Sequence, residues 1–352
     1  MCLFNFLLVL LPFAFPLFPS QVFAQGNEVE FTIDAASPTI TLPKIFKPSL
    51  DLSGRGFHAD FSWPQELASP QAIDVWHNDI GFNGMYRLQY NLWEISQLGK
   101  DKEAQEKLLA NYEAVIKKIT DAGGTVILDI FSTPAGLGKV LDKKSPPLEV
   151  KTFKELIKSH IRQLSCIKKY TIWYEVWSAP DLDAFFLGRK QEYLALYKAV
   201  ADAVKELEEE TKIEIPVGGP GVTWWYQNFE GNPVINPEGS LIYELIKFCS
   251  HNRLQLNFIT WHAYSTDPKV EKEATLYNRP LATLIRDWLS YFNFPKNTPL
   301  IVGEWNFDSG SNMSSARKEA SFSIKPRAWA LKPALTTATG CRRASKTNNN
   351  KR

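Results

Sequence analysis

The sequence predicts an α/β chain wound as a TIM-type (β/α)8 barrel that loses its pattern after the seventh strand. Three observations predict it. From Gly56 onward, short apolar strands alternate with amphipathic helices through seven units, the rhythm of βα units in a parallel sheet. Several strands are unbroken apolar runs, such as Val126-Ile127-Leu128 and Leu300-Ile301-Val302, as strands covered on both faces are. The chain has 352 residues and is 44% hydrophobic, enough for one barrel of about 250 residues.

The chain begins with an apolar run over 3–18, followed by Val22-Phe23-Ala24 with small residues at −3 and −1. This is a signal-peptide pattern over 1–24, although no Lys or Arg precedes the run, and its prolines argue against a spanning helix. The mature protein is expected to be exported, periplasmic or extracellular, with no membrane attachment after cleavage. Residues 25–55 read as an N-terminal extension and 56–320 as the barrel.

Within the barrel, Gly56-Phe57-His58-Ala59 is the expected first strand, with a helix near 66–79 and a second strand over 84–90. The helix over 103–121 is the clearest: Leu108, Tyr112, Val115, Ile116 and Ile119 share a face, and Gly123-Gly124 ends it. Strand three covers 125–131, helix three 151–165, strand four 171–177 and helix four 190–210. Strand five is expected over 213–218, closed by Gly218-Gly219-Pro220-Gly221. Helix five follows over 239–252, strand six over 256–262, helix six over 276–291 and strand seven over 298–306.

After Glu319 there is no acidic residue, and Lys and Arg stand among Thr, Ala, Ser and Asn. Residues 321–352 are therefore expected to be a basic, disordered tail. The abrupt loss of βα pattern points to a reading-frame break near residue 322, leaving the eighth unit unsupplied.

Composition excludes some classes. A formal net charge of +2 gives no reason to expect a nucleic-acid partner. Eleven Trp, 12 Tyr and 22 Phe serve a packed core first and are compatible with a sugar site. Cys166 and Cys249 read as small core residues. No spacing resembles a metal site or a disulfide framework, the glycine run lacks the Lys-Ser/Thr of a phosphate loop, and no cofactor is expected.

The chemistry gathers at two strand ends. Strand seven ends Gly303-Glu304-Trp305-Asn306: a carboxylate beside a flat apolar ring, where barrel enzymes carry catalytic groups. A strand-end salt bridge is the plainer reading of the same residues. Strand four ends Trp173-Tyr174-Glu175-Val176-Trp177-Ser178-Ala179-Pro180-Asp181-Leu182. With Tyr86-Arg87-Leu88, the helix carrying Tyr193 and Tyr197, Val217-Gly218-Gly219-Pro220 and Trp261-His262-Ala263-Tyr264, the chain over 56–312 resembles glycoside hydrolase family 39. The resemblance implies a retaining barrel glycosidase acting on a carbohydrate, with catalytic glutamates after strands four and seven. It implies Glu304 as nucleophile, Arg87 as the cation that keeps it ionised, and His262 and Tyr264 lining the sugar site. Trp177 and Trp305 would be its apolar walls.

One departure is plain. The family's Trp-Asn-Glu-Pro is here Trp177-Ser178-Ala179-Pro180, so Ala179 stands at the acid/base and Ser178 at the sugar-binding Asn. A methyl group donates no proton, and losing a general acid typically costs about 10²–10⁴-fold in rate. Asp181 is the candidate substitute acid; Glu175, four residues back, is expected deeper in the barrel. The alternatives are a non-catalytic carbohydrate-binding relative and a truncated product without function.

Overall fold

In the computed structural model, the described residues are 49–51, 70–74, 77–78, 84–225, 237–264, 281–306 and 336–340. They form a ring of parallel strands with helices outside. β1 is Ser49–Asp51, β2 Met85–Asn91, β3 Thr125–Phe131, β4 Ile172–Val176, β5 Val217–Val222, β6 Phe258–Tyr264, β7 Leu300–Asn306 and β8 Thr336–Gly340. Each pairs in parallel with the next, and β8 with β1. The helices are α1 Pro70–Asp74, α2 Leu92–Gln97, α3 Lys102–Asp121, α4 Val150–Ile161, α5 Lys190–Thr211, α6 Leu241–Asn252 and α7 Leu281–Tyr291.

Local chemistry sets the boundaries. Asp101 caps α3 by accepting from the Ala104 amide at 3.0 Å, as N-cap aspartates do. The chain leaves that helix through Gly123 at φ +77°. Tyr112, Val115, Ile116 and Ile119 face the sheet, the spacing that the sequence shows. Between α4 and α5, Lys154 and Lys158 reach Glu206, and Lys158 and Arg162 reach Glu210, fastening the outer layer.

Strands β2 to β7 make a curved six-strand sheet, and the barrel expectation is met there. Sequence and structure differ most at the other two strands, β1 and β8. The first strand is Ser49–Asp51, paired with Met85 to Arg87, inside the stretch that reads as an extension; Gly56 to Ala59 lie outside the described residues, as does the leader. Thr336–Gly340 forms β8 within the expected tail. Its sequence, Thr-Thr-Ala-Thr-Gly, has no apolar run, and main-chain pairing to the open edges of β7 and β1 supplies what its residues do not. Among the described residues no helix joins β7 to β8.

Strand five also shifts. The glycine run lies inside β5 rather than closing it. A Cβ on Gly218 would fall 2.3 Å from the Phe258 carbonyl oxygen, so the strand needs a residue without one. The run that looks like a turn is a close approach of backbones.

Two apolar clusters result. The larger fills the space between sheet and helices. The smaller lies inside the ring: Met85, Ile127, Phe258 and Ile301, with Trp173 packed against them.

Candidate active site

Two residues further along the same strands, the interior changes character. Arg87 on β2 follows Met85, Asp129 on β3 follows Ile127, and Glu175 on β4 follows Trp173; all three charged side chains are fully buried. The period of two that turns Met85 inward turns Arg87 inward as well. The Arg87 guanidinium is held on every edge. Nε donates to Glu175 Oε2 at 2.5 Å, Nη2 to Asp129 Oδ2 at 3.0 Å and to Ser178 Oγ at 3.2 Å, and Nη1 to Glu304 Oε1 at 2.8 Å.

Glu304 reaches this cluster from β7. A backbone irregularity between Trp261 and His262 brings His262 opposite Glu304 in the β6–β7 ladder. His262 Nε2 lies 3.4 Å from Glu304 Oε1. Burial, the largest influence, pushes the His262 pKa down; Glu304 opposes this and Arg87 adds to it. The ring therefore sits neutral beside the carboxylate. Gly303 leaves room beneath: a Cβ there would sit 3.5 Å from Arg87 Nε and 3.6 Å from His262 Cδ2.

The end of β4 is a tight turn with Trp177 at φ +68° and Ala179 at φ +46°. The Trp177 amide donates to the Ile130 carbonyl and the Ala179 amide to that of Gly221, which ties the turn to both neighbouring strands. Ala179 is 2% exposed. Gly221 (φ +60°) makes the approach feasible, since a Cβ there would lie 2.5 Å from Glu175 Oε1.

Of the expected site residues, Arg87, His262 and Glu304 come together, and Ser178 joins them through Arg87. Trp177 does not line a cleft. It is fully buried between Phe131 and Phe186, with its indole N–H on the Phe185 carbonyl; a ring closed in on its faces belongs to the core. The side chains of Tyr264 and Trp305 lie outside the described residues. Asp181 has both carboxylate oxygens engaged, accepting from the amides of Thr223 at 2.9 Å and Trp224 at 2.7 Å. The two amides fix the carboxylate, and its geometry is that of a clamp between the loops after β4 and β5.

Asp129 was not legible as a site residue, although one signal existed: it is the charged residue in the otherwise apolar run from Val126 to Phe131. Glu175 is deep in the barrel, and its place on Arg87 needed the fold. Among the described residues no group of His, Cys, Asp or Glu is arranged to hold a metal ion.

The family model of glycosyl hydrolases family 39 matches residues 139–322, just over half of the chain. The chain belongs to this family. Two curated proteins resemble it: a β-xylosidase from Caldicellulosiruptor saccharolyticus, 28% identical over 173 residues, and one from Geobacillus stearothermophilus, 28% identical over 142. The matches cover 45% and 39% of this chain but 31% and 25% of those proteins, so the chain spans a quarter to a third of the relatives it matches. Among solved structures, the GH39 enzyme from Xanthomonas axonopodis pv. citri superposes with a TM-score of 0.59 over 85% of this chain and 59% of its own, at 16% identity. A GH39 β-xylosidase from Caulobacter crescentus gives 0.58 over 85% and 62%, also at 16% identity. These two show the barrel fold.

Proposed function

We propose that this family 39 chain is an exported, retaining glycoside hydrolase with Glu304 as nucleophile and an impaired proton-transfer step. One observation carries the reading. Of the three carboxylates on Arg87, Glu304 is 19% exposed while Asp129 and Glu175 are fully buried, so Glu304 is the one a substrate can meet. In this reading a Glu304 oxygen attacks the anomeric carbon of a poly- or oligosaccharide, the bond to the leaving oxygen breaks, and a glycosyl-enzyme forms. Water then releases the sugar with retention. The leaving oxygen needs a proton in the first step and the water needs a base in the second; Ala179 supplies neither. The leader over 1–24 supports export to the periplasm or beyond.

The methyl of Ala179 also favours a second reading, a carbohydrate-binding relative without turnover. Aryl glycosides with acidic phenol leaving groups separate the two, because such phenolates depart unprotonated, and azide attacks the glycosyl-enzyme without a base. The β-xylosidase relatives make dinitrophenyl β-xyloside the first substrate of the panel. The expected outcome is slow hydrolysis, formation of glycosyl azide with retained configuration, about 10²-fold or more faster turnover of poor leaving groups in Ala179→Glu, and loss of all turnover in Glu304→Ala. A folded protein that binds sugar yet turns over none of the panel, with or without azide, establishes the second reading.

A further inference from the structure

The reaction needs Glu304 and one cation. The structure adds two further carboxylates, Asp129 and Glu175, which lie fully buried on the edges of Arg87 away from Glu304. Burying a carboxylate costs free energy that good pairing only offsets, so two of them on one guanidinium call for a reason. We propose that Asp129 and Glu175 are positioning residues that act on Glu304 through Arg87: they fix the guanidinium plane and offset its charge, so that the nucleophile stays ionised yet basic. The proposal rests on Glu304 being the nucleophile.

Geometry supports the first half. A guanidinium is a rigid fork of donors. With Nε on Glu175 and Nη2 on Asp129 and Ser178, the direction of Nη1 is no longer free, and it points to Glu304. Charge supports the second half. A lone buried arginine beside Glu304 would form a tight ion pair and lower the carboxylate's affinity for a proton, and with it its attacking power. Two more anions on the same arginine weaken that pull.

The covalent step makes the need explicit. When the bond from Glu304 oxygen to the anomeric carbon forms and the aryl oxygen leaves with the electron pair, the glutamate charge is consumed. Arg87, fully buried, would then be an uncompensated cation. With Asp129 and Glu175 in place it remains paired throughout, and the cluster passes from a formal charge of −2 to −1. The other groups facing it from the described elements do not replace them. His262 on β6 is held neutral by burial, and burial, with Asp129 acting on Tyr112 of α3 and Glu175 and Asp129 on Tyr193 of α5, pushes both phenols further from ionisation.

The test is the pH dependence of covalent labelling by dinitrophenyl 2-deoxy-2-fluoro-β-glycosides of a small sugar panel, read by mass of the intact protein and peptide mapping. Labelling needs the nucleophile but no acid, so Ala179 does not interfere. In Asp129→Asn and Glu175→Gln the acid limb should move to lower pH by roughly one unit, the size expected for removing one nearby buried charge. Label on Glu304 with an unmoved or upward-shifted limb in folded variants overturns the proposal alone. Label on another residue, or none from any panel member, overturns the nucleophile assignment and the proposal with it. Should both variants fail to fold, the wild type decides: its acid limb should lie in the ordinary carboxylate range, and a limb far below that range overturns the proposal.

Discussion

The barrel interior has two levels, and they are built on opposite principles. The lower level, Met85, Ile127, Trp173, Phe258 and Ile301, is held by apolar contact, with the rings of Trp173 and Phe258 at 5.3 Å. The upper level, Arg87, Asp129, Glu175 and Glu304, is held by directed bonds to one guanidinium. On β2, β3 and β4 the two levels are separated by one period of the pleat. The lower level tolerates loss in proportion to the atoms removed, because dispersion and burial add up over many contacts. Among the described residues the upper level has one cation, so losing it strands three carboxylates at once. The charged level that carries Glu304 thus stands on an apolar floor that asks for no partner.

Substitutions can break this comparison, and the largest effect should come from the upper level. Arg87→Met leaves three carboxylates with no cation, and a loss of at least about 4 kcal/mol in the unfolding free energy from denaturant titration is expected; a loss below about 1 kcal/mol would mean that the cluster is not held by charge. Phe258→Ala in the lower level should cost about 3 kcal/mol and leave labelling of Glu304 in the surviving folded protein unchanged. If labelling disappears while the fold persists, the two levels are not independent.

Gly221→Ala sharpens the picture at the join. Its Cβ would meet Glu175 Oε1 at 2.5 Å in a left-handed backbone conformation, so a cost of about 2 kcal/mol is expected together with slower labelling. A variant as stable and as fast as wild type would show that Glu175 has room to move.

The smallest effect lies outside the ring. Half-buried His160 on α4 meets the Tyr90 hydroxyl at 2.8 Å, and burial lowers its pKa from 6.5 to about 4. The unfolded chain takes up a proton near pH 6.5 that the folded chain refuses until about pH 4, so this residue destabilises the fold progressively as pH falls through that window. His160→Gln should reduce the acid-side loss of stability by on the order of 2 kcal/mol and leave the midpoint at pH 8 nearly unchanged. Equal acid sensitivity in the two proteins would place the titrating group elsewhere, with the Arg87 cluster the first candidate.

Much of the molecule is legible in the chain because its signals are local. The period of α3, the apolar run of β3 and the Gly303-Glu304 strand end each depend on neighbours within a few residues, and each lies where the sequence puts it. The misses share a cause. Gly218 to Gly221 read as a turn because glycine has two uses, and only the closeness of Phe258 and Glu175 selects the second. Trp177 read as an apolar wall because a tryptophan at a strand end can line a cleft or fill the core; the Phe131 and Phe186 rings decide. Strand Thr336–Gly340 has no side-chain signal at all, since partner edges far away in sequence hold it.

The sequence by itself determined the alternating units and the residue types at the two strand ends, because these are written in composition and spacing; that Ala179 replaces a proton donor is what the resemblance to family 39 implies. Only the tertiary structure decided which carboxylates share Arg87, that Asp181 is tied to the Thr223 and Trp224 amides, and that Glu304 alone of the three on Arg87 is partly exposed. Those facts join β2, β3, β4 and β7 and the loops after β4 and β5, whose residues lie up to 217 positions apart along the chain. No local pattern encodes such a meeting; it follows from how the strands close around one another.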